Sequence, residues 1–496
     1  MGVSRWNAKL HASRKATRAP THEINDLELA AFLAAQKKHL LLLPASNSSK
    51  SARAGARRQA RALRTKFLNQ LLRRQGRKRR VLRNVAALLY APKPDIVRDS
   101  LCPAFLDDWR PMRRRMRHKT VEEFSLKGFS FARNPGTTLK RLSELADACA
   151  LFPDLRVNFL DTDCDDVTPY VVLSHLTRSL PPIISGGRIT HEVSEVVEAV
   201  GMKAALRIGS IAWTADQDAY SVSAFRLVHR TPPGAFGDED HLLRPQVKEW
   251  VADKFCETIN GWLREHELEL TQHAESSFVT AIGEALDNAE RHGGPAVTDS
   301  EGDWSIAGFS RLQLVDGAPL LRCSVGIVSV GTTISDSLSS AAPVVQQRID
   351  AYVERNTPLF RARHSVEALR TVMALQDGIT RVESATLNRR GGVGFMELIE
   401  AFAELGMNDR ADQQSVFTII SGRTCVRVTA PYRCGERKET GLRELWFNPD
   451  NDGMAPPSQE HVMTLNESFP GVILSACFTI DPDYLRKNLS DADDDG

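Results

Sequence analysis

The sequence predicts a multidomain protein of mixed α+β and α/β class: a basic helical N-terminal segment, a small α/β domain and a larger α/β sandwich domain. Three observations predict it. At 496 residues the chain exceeds one ordinary core. Its charge is divided, with 29 Lys and Arg against 7 Asp and Glu in residues 1–119 and 35 against 55 in the remainder. Its apolar spacing also changes, from long helical stripes to short strand-like runs alternating with helices, and then to two long amphipathic helices followed by extended runs.

In the first segment, residues 1–119, Ser46 to Ser51 is a polar break and Ala52 to Tyr90 is free of proline. Leu63, Phe67 and Leu71 stand four apart, and Val81, Val85, Leu88 and Leu89 resume the stripe after Gly76. Between the stripes lie Arg73, Arg74, Arg77, Lys78, Arg79 and Arg80, and Arg113, Arg114 and Arg115 form a second knot. Such clusters neutralise phosphates, which makes DNA or RNA the candidate partner of this region. Few aromatic residues accompany them, so backbone contact is expected rather than base reading. The competing expectation is a surface docked on the acidic remainder of the same chain.

In the second segment, residues 120–231, Phe124 to Phe131 reads as a strand, and Asn134-Pro135 caps a helix from Thr137 to Ala150. Arg156 to Leu160 reads as a buried strand. Asp166 to Leu180 follows as a helix with Val172, Leu173, Leu176 and Leu180 inward. Ile183 to Ile189, His191 to Val200 and Ala205 to Ile208 continue as strand, helix and strand. That alternation predicts parallel pairing.

Pro232 to Asp240 is the expected linker to the third segment, residues 244–482, and an acidic tail, 483–496, closes the chain. Gln246 to Leu268 and Thr271 to His292 are the two long amphipathic helices. On the second, Glu284 and Asn288 are one turn apart and share a face, with Phe278, Ala281, Ile282, Ala285 and Ala289 supplying the buried face. An amide oxygen there can hold a hard cation that bridges phosphates, while the carboxylate orients or deprotonates an attacking water. Gly391, Gly392 and Gly394 precede a helix from Met396 to Leu405; glycines let backbone N–H groups approach phosphate oxygens, and the helix N-terminus favours them. The chain has no GxxxxGK[ST], which excludes a P-loop.

Glu284-x-x-x-Asn288-Ala289-x-x-His292-Gly293 resembles the N box of the GHKL family of gyrase, Hsp90, histidine kinase and MutL ATPases, and further blocks follow in that family's order. Arg322 to Ile334 resembles the adenine-binding block, and Asn388 to Phe395 the glycine-rich end of the ATP lid. Val416 to Val428 is read as a hairpin turning at Ser421-Gly422-Arg423, and Pro470 to Phe478 as the last sheet strand. The resemblance implies helices on one face of a mixed sheet and ATP and Mg²⁺ as cofactors. It gives Glu284 as general base, Asn288 as Mg²⁺ ligand, Ser329, Gly331 and Thr333 at adenine, and Gly391, Gly392 and Gly394 at the phosphates. Ser329 stands where the family has Asp, and Thr333 where it has Gly, which puts adenine selectivity in question. Ile334 to Asn388 is the expected lid, with helices over Gln347 to Val353 and Val366 to Leu375; Arg361 and Arg363 lie in it.

The second segment resembles a STAS domain through Val157 to Asp161, Val167-Thr168-Pro169-Tyr170 and a later helix ending at Gly201. The functional expectation is a nucleotide-gated ATPase switch, with a protein partner or a homodimer as further candidates. The alternatives are an anti-sigma-like serine/threonine kinase or partner-switching regulator, and a non-catalytic scaffold. No run of 18 apolar residues predicts a membrane span or membrane partner. Eight scattered cysteines without a CxxC pair predict small core residues in a cytoplasmic, reducing compartment.

Overall fold

The computed structural model describes residues 94–105, 122–152, 155–181, 184–203, 205–206, 222–230, 247–292, 303–357, 364–379, 394–410, 413–432, 434–439 and 441–487. The chain divides into two compact units, Met1–Tyr90 and Ala91–Gly496, and every described element belongs to the second. The predicted basic helices, and Asp493 to Asp495 of the acidic tail, lie outside the described residues.

The middle of the chain opens with helix α1 (Ile96–Leu101), capped by the Asp95 carboxylate, which accepts the Arg98 N–H. Strands β1 (Glu122–Leu126), β2 (Leu155–Phe159) and β3 (Ile184–Gly186) pair in parallel in that order, as strands joined through helices do. The connections are helix α2 (Pro135–Leu151) and helix α3 (Thr168–Ser179), and helix α4 (His191–Ala199) follows. Val172, Leu173, Leu176 and Leu180 are all buried. Asn134 is not a capping side chain: its Nδ2 donates to Gly128 O at 3.4 Å, and Pro135 at the first turn needs no donor partner.

Strand β4 (Val222–His229) leads to helices α5 (Lys248–Arg264) and α6 (Gln272–His292), then to the hairpin of β5 (Trp304–Val315) and β6 (Ala318–Val330). Asp316 and Gly317 turn that hairpin with φ of 54° and 83°, the doubly positive pair that a two-residue turn between twisted strands requires. Helix α7 (Ile334–Ser337), a 3₁₀ turn, helix α8 (Pro343–Asn356) and helix α9 (Val366–Ala374) follow, and then helix α10 (Gly394–Leu405). Val345, Ile349, Tyr352, Leu369 and Val372 place α8 and α9, within the expected lid, in the common hydrophobic core.

Strand β7 (Val416–Val428), the hairpin of β8 (Glu436–Arg437) and β9 (Arg443–Glu444), and strand β10 (Val462–Ile480) complete the chain. The large sheet has the order β4-β5-β6-β10-β7 and is antiparallel throughout rather than mixed. Val416–Val428 is one bent strand and not a hairpin: Gly422 takes φ 58°, and the residues on both sides of it pair with the same neighbour, β10, across a register shift.

Both faces of this sheet are covered. Alternate residues Leu321, Cys323, Val325 and Ile327 join the core beneath α5, α6 and α10. The intervening Ser324 and Gly326 meet the start of α3. Single-face coverage, the arrangement implied by the resemblance, is therefore replaced by three layers in which the middle of the chain supplies the second helical face.

Candidate functional site

Helix α6 is set by its apolar stripe: Phe278, Ala281, Ile282, Leu286 and Ala289 are buried, and Ala285 packs partly against them. Glu284 and Asn288 are half-buried at the edge of the stripe. The opposite edge is occupied. The Trp304 indole N–H donates to Glu290 at 3.0 Å, Arg230 lies 3.2 Å from the same carboxylate, and Lys248 pairs with Asp287. Those partners belong to β5, the end of β4 and the start of α5. At about 100° per residue, Asn288 and Glu290 point about 160° apart. Asn288 accordingly points to the side of α6 taken by its other helical neighbour, α10, and Glu284 lies about 40° further round the helix.

The two helices run antiparallel. Phe278 meets Phe402 edge-on, with ring centroids 5.2 Å apart. Phe402 also stacks on Phe417 and touches Phe478, where β7 starts and β10 ends. From this contact α6 climbs about 15 Å to Asn288, and α10 climbs about 12 Å back to Gly394. Trp304, beside Glu290, stands directly opposite Ser329 in the sheet. One end of the sheet therefore gathers the last turns of α6, the start of α10 and the end of β6.

Of the residues expected at adenine, Ser329 is half-buried and shares with Trp304 the face covered by α5, α6 and α10. Gly331 takes φ 148°, a value that only glycine adopts without strain, and its N–H donates to Pro470 O at 3.2 Å. Thr333 has φ −70°, and its hydroxyl accepts the Asp336 N–H at 3.1 Å, capping α7. The turn thus places its one positive φ at Gly331 and uses the residue at 333 as a helix cap, a job for which threonine is better suited than glycine. The loop is tied to the sheet through Ser421, whose hydroxyl accepts the Ile334 N–H at 2.8 Å and donates to Gly471 O at 2.9 Å. Gly394 opens α10, while Gly391 and Gly392 lie outside the described residues. So do Arg361, Arg363, Arg73, Arg74, Arg77, Lys78, Arg79, Arg80, Arg113, Arg114 and Arg115.

Sequence reading missed a polar seam behind the sheet. Asp166, almost wholly buried, accepts the N–H groups of Phe131 at 2.7 Å and Ala132 at 3.1 Å and the Ser475 hydroxyl at 3.0 Å. Arg311 and Arg322 are direct cross-strand neighbours, a repulsive pair that Asp163 neutralises by bonding both. Burial raises the Asp165 pKa although Arg322 and Arg133 oppose it. Higher on α3, His175 Nε2 bonds the Ser305 hydroxyl at 2.7 Å, and His229 Nδ1 bonds the same oxygen. Burial, with Arg178 adding to it, holds the His175 pKa well below the usual range and pushes that of His229 down to about 3. The run Asp161-Thr-Asp163-Cys-Asp165-Asp166 and the register of the two arginines were the available signals.

No protein-family model, curated protein or solved structure matches the chain. No helix among the described residues is long and apolar enough to cross a membrane. All eight cysteines are free, six of them buried.

Proposed function

We propose that residues 244–482 form a Mg²⁺-dependent ATP site of GHKL type, working as a nucleotide-gated switch that hydrolyses ATP. The observation that supports the reading is that α6 packs against α10 with the last turns of α6, which bear Asn288, at the end of the sheet where α10 starts. The donor set suits the group. A half-buried amide and carboxylate one turn apart fit a small hard cation that takes its other ligands from phosphates and water. The partial positive charge at the start of α10 favours the phosphate oxygens. When bound, the cation would neutralise phosphate charge and polarise the bond to be broken. Asn288 would hold the cation, Glu284 would orient a water and take its proton, and Ser329 and Gly331 would meet the base. Ser329 brings a neutral hydroxyl to adenine, so the base contact is expected to be weaker than a carboxylate would make.

Phosphotransfer to the middle region has less support. Thr168, the hydroxyl residue that opens α3, is wholly buried against Gly326 of the sheet. For residues 1–119, contact with a nucleic acid remains the companion proposal, carried by charge alone.

The test is ATP binding and phosphate release by the full chain and two variants. Glu284→Ala should retain ATP while slowing turnover by about 10²–10⁴-fold. Asn288→Ala should lose Mg²⁺-dependent binding. Wild-type turnover in Glu284→Ala, or ATP affinity in Asn288→Ala that depends on Mg²⁺ as strongly as that of the wild type, would refute the assignment.

A further inference from the structure

Between Ile379 and Gly394 the chain departs from the end of α9 and returns as α10, and one side chain bridges the two points. Arg443, on β9, is mostly buried, and its Nε donates to Asp377 Oδ2 at 2.9 Å. Its Nη1 bonds Glu400, on the second turn of α10, and its Nη2 lies 3.9 Å from Glu397, on the first. The backbone reinforces the contact on both sides. The Arg443 N–H donates to Asp377 Oδ2 at 2.9 Å, the Asp377 N–H returns a bond to Arg443 O at 3.2 Å, and the Gly435 N–H reaches Glu400 at 3.2 Å. Gln376 repeats the pattern with Leu445, accepting its N–H at 2.7 Å and donating to its carbonyl at 2.9 Å. The β8–β9 hairpin is thereby pinned to the end of α9, and Arg443 reaches on with its charged group to α10.

We infer that Arg443 is a positioning residue for the nucleotide site: it staples the start of α10 to the end of α9 and offsets part of the carboxylate charge gathered there. This inference rests on the reading of that end of α10 as the phosphate site. The electrostatics favour such a role. Asp377, Glu397 and Glu400 together would repel one another, and Glu397 and Glu400 stand within two turns of the helix end that is to receive a triphosphate. Burial raises the Glu397 pKa, Asp377 and Glu400 add to the rise, and Arg443 opposes it. The planar guanidinium can serve two carboxylates on different elements at once, and a lysine ammonium, a point charge, serves them less well. Glu397 and Glu400 leave α10 on the side away from its buried residues Leu398, Ile399 and Phe402. The staple therefore braces the helix from outside and leaves its inner face to α6.

The experiment uses the full chain with Arg443→Gln, Arg443→Lys and the milder Glu400→Gln, which cuts only the α10 arm. Two readouts are taken: steady-state ATP kinetics, and hydrogen exchange at Asp377 to Ile379 and over the first turn of α10. Arg443→Gln is expected to raise KM for ATP about tenfold or more with kcat within about twofold of wild type, because positioning is lost and the chemical groups are not. Arg443→Lys should recover part of that loss, and Glu400→Gln should speed exchange in α10 while leaving Asp377 to Ile379 slow. Unchanged exchange in both Arg443→Gln and Glu400→Gln overturns the staple. Faster exchange with unchanged KM overturns its role at the nucleotide. If the wild type binds no ATP, the nucleotide reading itself fails, and the exchange arm still decides whether Arg443 joins the two helices.

Discussion

At Gly326 the middle of the chain packs directly against the sheet. A Cβ there would lie 2.7 Å from Thr168 Oγ1 and 2.9 Å from Thr168 Cα, and the second of these is backbone that cannot rotate away. Gly326→Ala should therefore cost about 1–3 kcal/mol through overpacking, seen as a lower urea midpoint with an unchanged slope. Gly283 offers the opposite case inside α6. Nothing lies within 4 Å of a Cβ built there, so Gly283→Ala should stabilise by about 0.5–1 kcal/mol through helix propensity alone. A shift of the same sign in both variants would show that these glycines are not distinguished by space. The pair also shows what a sequence exposes at this scale. Glu284, Asn288 and Gly283 sit within two turns of one helix, so their relation can be counted off. Gly326 owes its constraint to Thr168, a residue far away in the chain, and no local spacing announces that.

Among elements, helical periodicity located α3, α5, α6 and α10 to within a few residues, because an amphipathic stripe is a local property. The sheet was less legible. β4 and β5 passed unread although Asp316-Gly317 is a strong hairpin signal, and β7 was split in two because Gly422 looks like a turn. A glycine at positive φ marks a turn or a bulge alike, and only the shared partner β10 tells them apart. The contact of α3 with β4 and β5 makes its own prediction through His175, Ser305 and His229. The charged groups facing the imidazoles are Arg178 on α3 and its partner Asp303 before β5, 2.9 Å apart. Both histidines stay neutral in the folded protein, whereas in the unfolded chain they titrate near the ordinary value of about 6.5. Above that pH neither state is charged and the histidines add nothing to pH dependence. As pH falls below it only the unfolded chain takes up protons, so stability drops by about 1.4 kcal/mol per unit for each histidine, until the folded value of about 3 is reached for His229. At pH 5 this amounts to about 2 kcal/mol from His229. His229→Asn should flatten the fall in urea midpoint between pH 6.5 and 5, and an equally steep fall in the variant would sink the assignment.

At the scale of the whole molecule, composition spoke of charge and was silent about contact. The middle of the chain and the large sheet fall in one compact unit, joined by Asp163, Asp166 and Arg178; α1 of the basic first segment belongs to that unit, and the run Arg73 to Arg80 belongs to the other. That separation decides how the companion proposal is tested. If Arg73, Arg74, Arg77, Lys78, Arg79 and Arg80 contact nucleic-acid phosphates, each contact releases condensed counterions, and the logarithm of the binding constant falls linearly with the logarithm of salt. Replacing all six by Gln in the full chain should weaken binding to duplex DNA and make the salt slope shallower by up to about 5, at roughly 0.9 per lost contact. KM for ATP in the absence of DNA should not change, since none of the six residues belongs to the candidate nucleotide site. A segment held instead by the acidic remainder would behave oppositely, because salt would first release it and binding would strengthen before it weakened. A wild-type salt slope unchanged by the six substitutions would remove these arginines and the lysine from the interface, and leave the charge division of this chain with an intramolecular explanation.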